Sequence, residues 1–112
     1  MSECIFCKII KKEIPASVVY EDEKFLAFKD INPIDNVHIL IIPKIHVANL
    51  IEANEEEHKD LFADMLFLGR RIAKEQGLSG YRTMINSGKE GGQEVFHIHF
   101  HIYGGSEKLK KI

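Results

Sequence analysis

Residues 94–105 read EVFHIHFHIYGG, with histidine at 97, 99 and 101 and Ile98, Phe100 and Ile102 between them. Strict alternation of this kind belongs to a β-strand, whose successive side chains point to opposite faces. The three histidines then share one face, about 6.5–7 Å apart along the strand, and the apolar residues share the other. An apolar face needs a packing partner. The chain supplies one at 55–76, where Leu61, Phe62, Met65, Leu68, Ile72 and Ala73 recur at helical spacing. Asn54, with Glu57 three residues on, resembles a capping box, and Gly77 supplies the stop.

The remaining segments are shorter. Ile5, Phe6, Ile9 and Ile10 have helical spacing in a stretch from about Ile5 to Lys12 that stops before Pro15. SVVYEDEKFLAFKD, 17–30, reads as a hairpin: Val18 to Tyr20, a charged turn at Glu21 to Glu23, and Phe25 to Phe28 returning. HILIIP, 38–43, is an apolar strand that Pro43 ends, and YRTMIN, 81–86, is another. One long helix, one short helix and about five strands joined mostly by short loops predict an α+β domain built on an antiparallel sheet. A single domain over residues 1–112 follows, since the chain is long enough for its own core and shows no internal repeat or linker.

Composition narrows the function. Hydrophobic residues make up 45% and charged residues 29%, the balance of a soluble globular protein. A formal net charge of −2 provides no general drive toward nucleic acid or anionic lipid. The basic EKLKK at 107–111 reads as a solvated tail. No stretch is apolar and long enough to be a signal peptide or to span a membrane, so a cytoplasmic protein is expected.

Half of the six histidines stand in the 97–101 stripe. Neighbours on one flat strand do not readily converge on a single ion. Catalysis is the more economical use: one imidazole attacks an electrophile while another donates to the developing charge. The preceding loop, NSGKEGGQE at 86–94, suggests which electrophile. Gly88, Gly91 and Gly92 allow backbone N–H groups to approach an anion, and Asn86 and Gln93 add amides on either side. Phosphoryl or nucleotidyl chemistry fits that combination. Cys4 and Cys7 form a C-x-x-C pair, which in a reducing compartment is a redox couple or half a metal site. Only three residues precede Cys4, too few for the strand that opens a thioredoxin-type motif.

HIHFHIYGG, 97–105, resembles the His-φ-His-φ-His-φ-φ signature of the histidine triad family, and GGQEVFHIHFHIYGG its nucleotide-binding Hint branch. IFCKIIKKEIP, FLAFKDINP, HILIIPKIH and YRTMINSG fall in the family's order, so the similarity runs nearly end to end. The resemblance implies a homodimeric α+β protein that hydrolyses or transfers a nucleoside monophosphate, purine in the first instance, attached to an amine or phosphate. A dinucleoside polyphosphate hydrolase, or a nucleotide-binding regulatory protein with little turnover, is the alternative it leaves. By the same resemblance His99 is the nucleophile that forms a nucleotidyl-histidine, with its other nitrogen donating to a fixed acceptor. His101 contacts the phosphoryl oxygens and His38 is an additional active-site histidine. Asn86, Gly92 and Gln93 hold the phosphate side, and Asp30 the ribose hydroxyls. Ile5, Phe6, Ile9, Phe28, Ile31 and Leu40 match the apolar walls around the base. Glu94 departs from the many members that carry a hydroxyl there, and a negative charge so close to a phosphate alters leaving-group preference or proton delivery. Some triad proteins also carry C-x-x-C with two histidines, which implies structural zinc on Cys4, Cys7, His46 and His97. His58 fits no motif and is expected on the exposed face of the long helix.

Overall fold

A computed structural model describes residues 4–112. Five strands form one antiparallel sheet: β1, Val18–Glu21; β2, Phe25–Lys29; β3, Val37–Pro43; β4, Arg82–Met84; and β5, Phe100–Gly104. Their spatial order is β1-β2-β3-β5-β4, with the apolar β3 in the middle and the shorter β1 and β4 at the edges. The two helices are α1, Ile5–Ile10, and α2, Glu55–Glu75. The expected α+β architecture is therefore what the chain adopts.

Register decides what each face carries. Leu40 lies opposite His101, Ile41 opposite Phe100, and Ile39 opposite Ile102. One face accordingly collects Phe25, Ala27, Ile39, Ile41, Phe100 and Ile102, which pack on Met65, Leu68, Ile72 and Ala73 of α2. Full burial of the Phe, Ile, Leu and Met side chains among these contributes about 1.5–3 kcal/mol each. Gly69 lets α2 approach closely, because a Cβ there would stand 2.9 Å from the Ile102 Cδ1 methyl. The opposite face carries Leu26, Phe28, Leu40 and Ile42, against Phe6 and Ile9 of α1.

Six residues make too short a helix to persist alone. α1 is held by burial of Phe6 and Ile9 and by the Cys4 side chain, whose Sγ accepts the Cys7 N–H at 3.3 Å. At the start of α2, Asn54 Oδ1 accepts the Glu57 N–H at 2.8 Å, as the sequence predicts. The reciprocal bond comes from elsewhere: the Asn54 N–H donates to His58 Nδ1 at 2.9 Å. His58 is thus half-buried and closes the cap where Glu57 was expected to.

The strand expected from the alternation at 97–102 is only half realised, since β5 begins at Phe100. Before it, the Ile98 N–H donates to the Val47 carbonyl of the loop after β3, at 2.7 Å. The alternation nevertheless persists. Ile98 is buried, and His97, His99 and His101 all lie on the α1 side, where Phe6 meets the rings of His97 and His99 edge-on at centroid distances of 6.0 and 5.1 Å. Loss of ladder pairing lets this segment leave the sheet while its side chains keep their facing.

Candidate functional site

A cavity of about 320 Å³ opens on the α1 face of the sheet. Phe6, Ile9, Phe28 and Leu40 form its buried wall and also belong to the apolar cluster beneath α1. Ile5 and Ile31 stand at its exposed rim, the latter 90% accessible. Asp30, Asn86, Gly92, His99 and His101, also expected here from the sequence, line it as well. Ala16, Lys29, Asn32, Glu94 and Val95 also line it. Of these only Glu94 carried a signal beforehand, as a charge beside the glycines.

Two of the sequence-based assignments fall behind the wall. Gln93 is 5% exposed and absent from the lining. Its Nε2 donates to the Ala48 and Val95 carbonyls at 2.7 and 3.0 Å, and its Oε1 accepts the Gly88 N–H at 2.8 Å. Both amide hydrogens are thus spent on positioning the loop, not on a phosphate. The glycine loop is likewise no open nest: the N–H groups of Gly91 and Gln93 donate to the Gly88 carbonyl, and that of Gly92 to the Lys89 carbonyl. What Gly92 supplies is room and a left-handed turn at φ +87°, which a side chain would strain. His38 lies under His101, its Nε2 2.9 Å from His101 Nδ1.

Hydrogen bonds fix the tautomers of this histidine cluster. His99 Nδ1 is 2.8 Å from the His97 carbonyl, which can only accept. His99 therefore carries its proton on Nδ1 and leaves the Nε2 lone pair free. His38 Nδ1 accepts the Ile34 N–H at 3.2 Å, so the His38 proton sits on Nε2 and points at His101 Nδ1. His101 must then be protonated on Nε2. That Nε2 is buried and has no hydrogen-bond partner among the described residues, a donor ready for an oxygen in the cavity. One ring offers a lone pair and its neighbour, 5.0 Å away between centroids, offers an N–H.

Burial keeps these rings neutral. It lowers His99 despite the Nδ1 hydrogen bond and Asp30, which both oppose the shift. His38 is lowered by burial against Asp30 and Asp35, so its 3.4 Å contact with Asp30 Oδ2 joins a neutral imidazole to a carboxylate. His101 is pushed down to about 4, first by burial and then by His99 and His38. His97 is also pushed down to about 4, by burial above all. The unfolded chain takes up protons near the ordinary histidine value of 6.5, whereas the folded chain resists until about 4. The unfolded state then binds more protons across that window, and stability falls as pH falls through it. Thermal unfolding should show a midpoint level above pH 7 and declining steadily from about 6.5 to 4. A flat profile down to pH 5 would contradict the neutral cluster.

A second constellation shares the same strand. The ligand atoms of Cys4, Cys7, His46 and His97 all lie within 4.8 Å of one another and could hold a metal ion. Cys4 Sγ is 3.4 Å from His97 Nδ1, and Cys7 Sγ is 3.4 Å from His46 Nδ1 and 3.6 Å from His97 Nδ1. A tetrahedral ion with bonds of about 2.3 Å to sulfur and 2.0–2.1 Å to nitrogen sets ligands about 3.5 Å apart. The donor set fits. His97 Nε2 donates to the Pro43 carbonyl at 2.8 Å, which turns the Nδ1 lone pair toward the cysteines. Burial and the adjacent Cys4 push the Cys7 thiol up, so two thiolates side by side call for a cation between them.

Comparison with known proteins matches a family model described as HIT domain over residues 11–108. A 14 kDa zinc-binding protein of Zea mays is 52% identical over 109 residues, covering 95% of this chain and 84% of that one. Adenylylsulfatase HINT1 of Arabidopsis thaliana is 49% identical over 109 residues, covering 95% of this chain and 74% of that protein. The structure of a HIT family hydrolase from Clostridium thermocellum superposes with a TM-score of 0.93 at 45% identity, covering 100% of this chain and 98% of the other.

Proposed function

The chain belongs to the HIT family, and from that premise we propose that it is a nucleotide hydrolase working through a covalent nucleotidyl-His99 intermediate. The free Nε2 of a neutral His99, fixed by the His97 carbonyl at the cavity wall, is the observation that carries this reading. An apolar slot ending at Asp30 suits a base followed by a ribose, whose vicinal hydroxyls a carboxylate accepts. A volume of about 320 Å³ encloses a nucleoside monophosphate and leaves the rest of the substrate outside.

On a nucleoside 5′-phosphoramidate, His99 Nε2 attacks phosphorus and the P–N bond breaks. The departing amine takes up a proton from solvent at the open mouth. His101 Nε2–H donates to a phosphoryl oxygen as charge builds there, and His38 holds the His101 ring in that tautomer. Water then attacks phosphorus and gives up a proton to solvent, the P–Nε2 bond breaks to return neutral His99, and nucleoside monophosphate leaves with overall retention. Zinc is the metal proposed for Cys4, Cys7, His46 and His97, in a structural role, because all four positions are filled by protein.

Rapid quenching during turnover of an adenosine 5′-phosphoramidate tests the reading. One nucleotidyl group, acid-labile and mapped by mass to His99, is expected; release of product with only unmodified protein would refute the covalent path. Light scattering of the same preparation bears on the homodimer that family membership suggests, which would cover the exposed Leu66 and Phe67 of α2.

A further inference from the structure

The cavity carries a charge that the chemistry above does not use. Glu94 lines it between Gly92 and Val95 and is exposed to solvent. Among the described residues no lysine, arginine or histidine forms an ion pair with its carboxylate. Of the other charges of the lining, Lys29 is likewise solvent-exposed, and Asp30 faces His38.

Position along the cavity gives that charge a target. Phe6, Ile9, Phe28 and Leu40 are buried and form the apolar wall that suits the base. Phosphorus must reach His99 Nε2. Whatever is attached beyond phosphorus therefore leaves through the open side, where the exposed Glu94 stands. An uncompensated carboxylate on the wall of a cleft concentrates its field there and acts on the group passing it.

We propose that Glu94 selects substrates by the charge of the leaving group. The favoured class is nucleoside 5′-phosphoramidates whose amine portion bears a second, protonated nitrogen; neutral amines follow, and anionic leaving groups such as sulfate or polyphosphate come last. The proposal rests on the nucleotide-hydrolase reading and names the substrate class of that site. Two unit charges about 6 Å apart at an effective dielectric of about 40 interact enough for roughly tenfold discrimination. Salt should weaken it, because both charges are near solvent.

Three adenosine 5′-phosphoramidates that differ only at the end of an alkylamine tail, ammonium, methyl or carboxylate, provide the experiment. In the parent, kcat/KM should fall by about tenfold from ammonium to methyl and again from methyl to carboxylate, with the spread narrowing as salt rises. In Glu94→Gln the spread should shrink to within about threefold, and in Glu94→Lys it should invert. An unchanged order in Glu94→Gln overturns the proposal while leaving the hydrolase reading intact. Should the parent turn over none of the three, the hydrolase reading fails. Dissociation constants of non-hydrolysable adenosine 5′-carbamates with the same tails then decide the matter for Glu94. The same ranking, lost in Glu94→Gln, supports it; equal affinities, or no binding, overturn it. Because Glu94 is exposed and makes no side-chain ion pair, both variants should fold as the parent does.

Discussion

Replacing His99 with alanine is expected to lower kcat/KM on an adenosine 5′-phosphoramidate by at least about 10⁴-fold, because the covalent path loses its nucleophile outright. The geometry makes this the most damaging single change in the cavity. Among the described residues only His99 combines a free Nε2 with an Nδ1–H locked by a carbonyl, the His97 oxygen at 2.8 Å. His101 cannot substitute, since its Nδ1 lone pair accepts from His38 and its Nε2 carries the proton. Nucleotide affinity should survive, as the apolar wall and Asp30 are untouched. His101→Ala should cost less, about 10²–10³-fold, the range for removing one donor to a developing oxyanion. Steady-state kinetics with a parallel nucleotide titration checks both. A His99→Ala protein retaining a tenth of parental activity would remove His99 from the role of nucleophile.

Much of this arrangement is legible in the chain, and what is not has physical reasons. Alternation at 97–102 places the histidines opposite Phe100 and Ile102 because strand geometry alone dictates facing, even where the ladder is missing. The extent of β5 was not legible. Whether Ile98 pairs with a strand or with Val47 depends on a loop fifty residues away in sequence. The same limit governs Gln93. An amide beside glycines looks like a phosphate ligand, but the carbonyls of Ala48 and Val95 reach it first. Glycine spacing, too, says nothing of whether the N–H groups are free; here a 3₁₀ turn over Lys89–Gly91 consumes them. His58 is an unusual capping partner, recognisable only once its Nδ1 and the Asn54 backbone N–H are fixed in space. Which face a side chain takes along one strand could be read from sequence; hydrogen-bond partners supplied by a distant loop, such as Val47 and Ala48, could not.

Removing the proposed zinc should cost the fold heavily, although Cys4, Cys7, His46 and His97 lie outside the cavity lining. An ion held at a free concentration of a hundred to a thousand times its dissociation constant contributes about 3–4 kcal/mol to stability. For a domain of this size that is a fall in Tm of roughly 10–20 °C. The cost is concentrated because the four ligands tie three separate pieces together: Cys4 and Cys7 at the start of α1, His46 in the loop after β3, and His97 just before β5. α1 is too short to hold itself in place, and it carries the Phe6 and Ile9 wall of the cavity. Cys7→Ser, or chelation, should therefore lower Tm and weaken nucleotide affinity together. Elemental analysis of protein purified without chelator should give one zinc per chain. The His99 ring reports the coupling independently of turnover: its Nδ1–H bonds to the carbonyl of His97, whose own ring faces the cysteines. Loosening His97 should shift the His99 ring resonances in an NMR spectrum of the ligand-free protein. Protein that contains no zinc, or whose Tm and His99 resonances ignore both chelator and Cys7→Ser, would leave the four residues as a cluster without a metal.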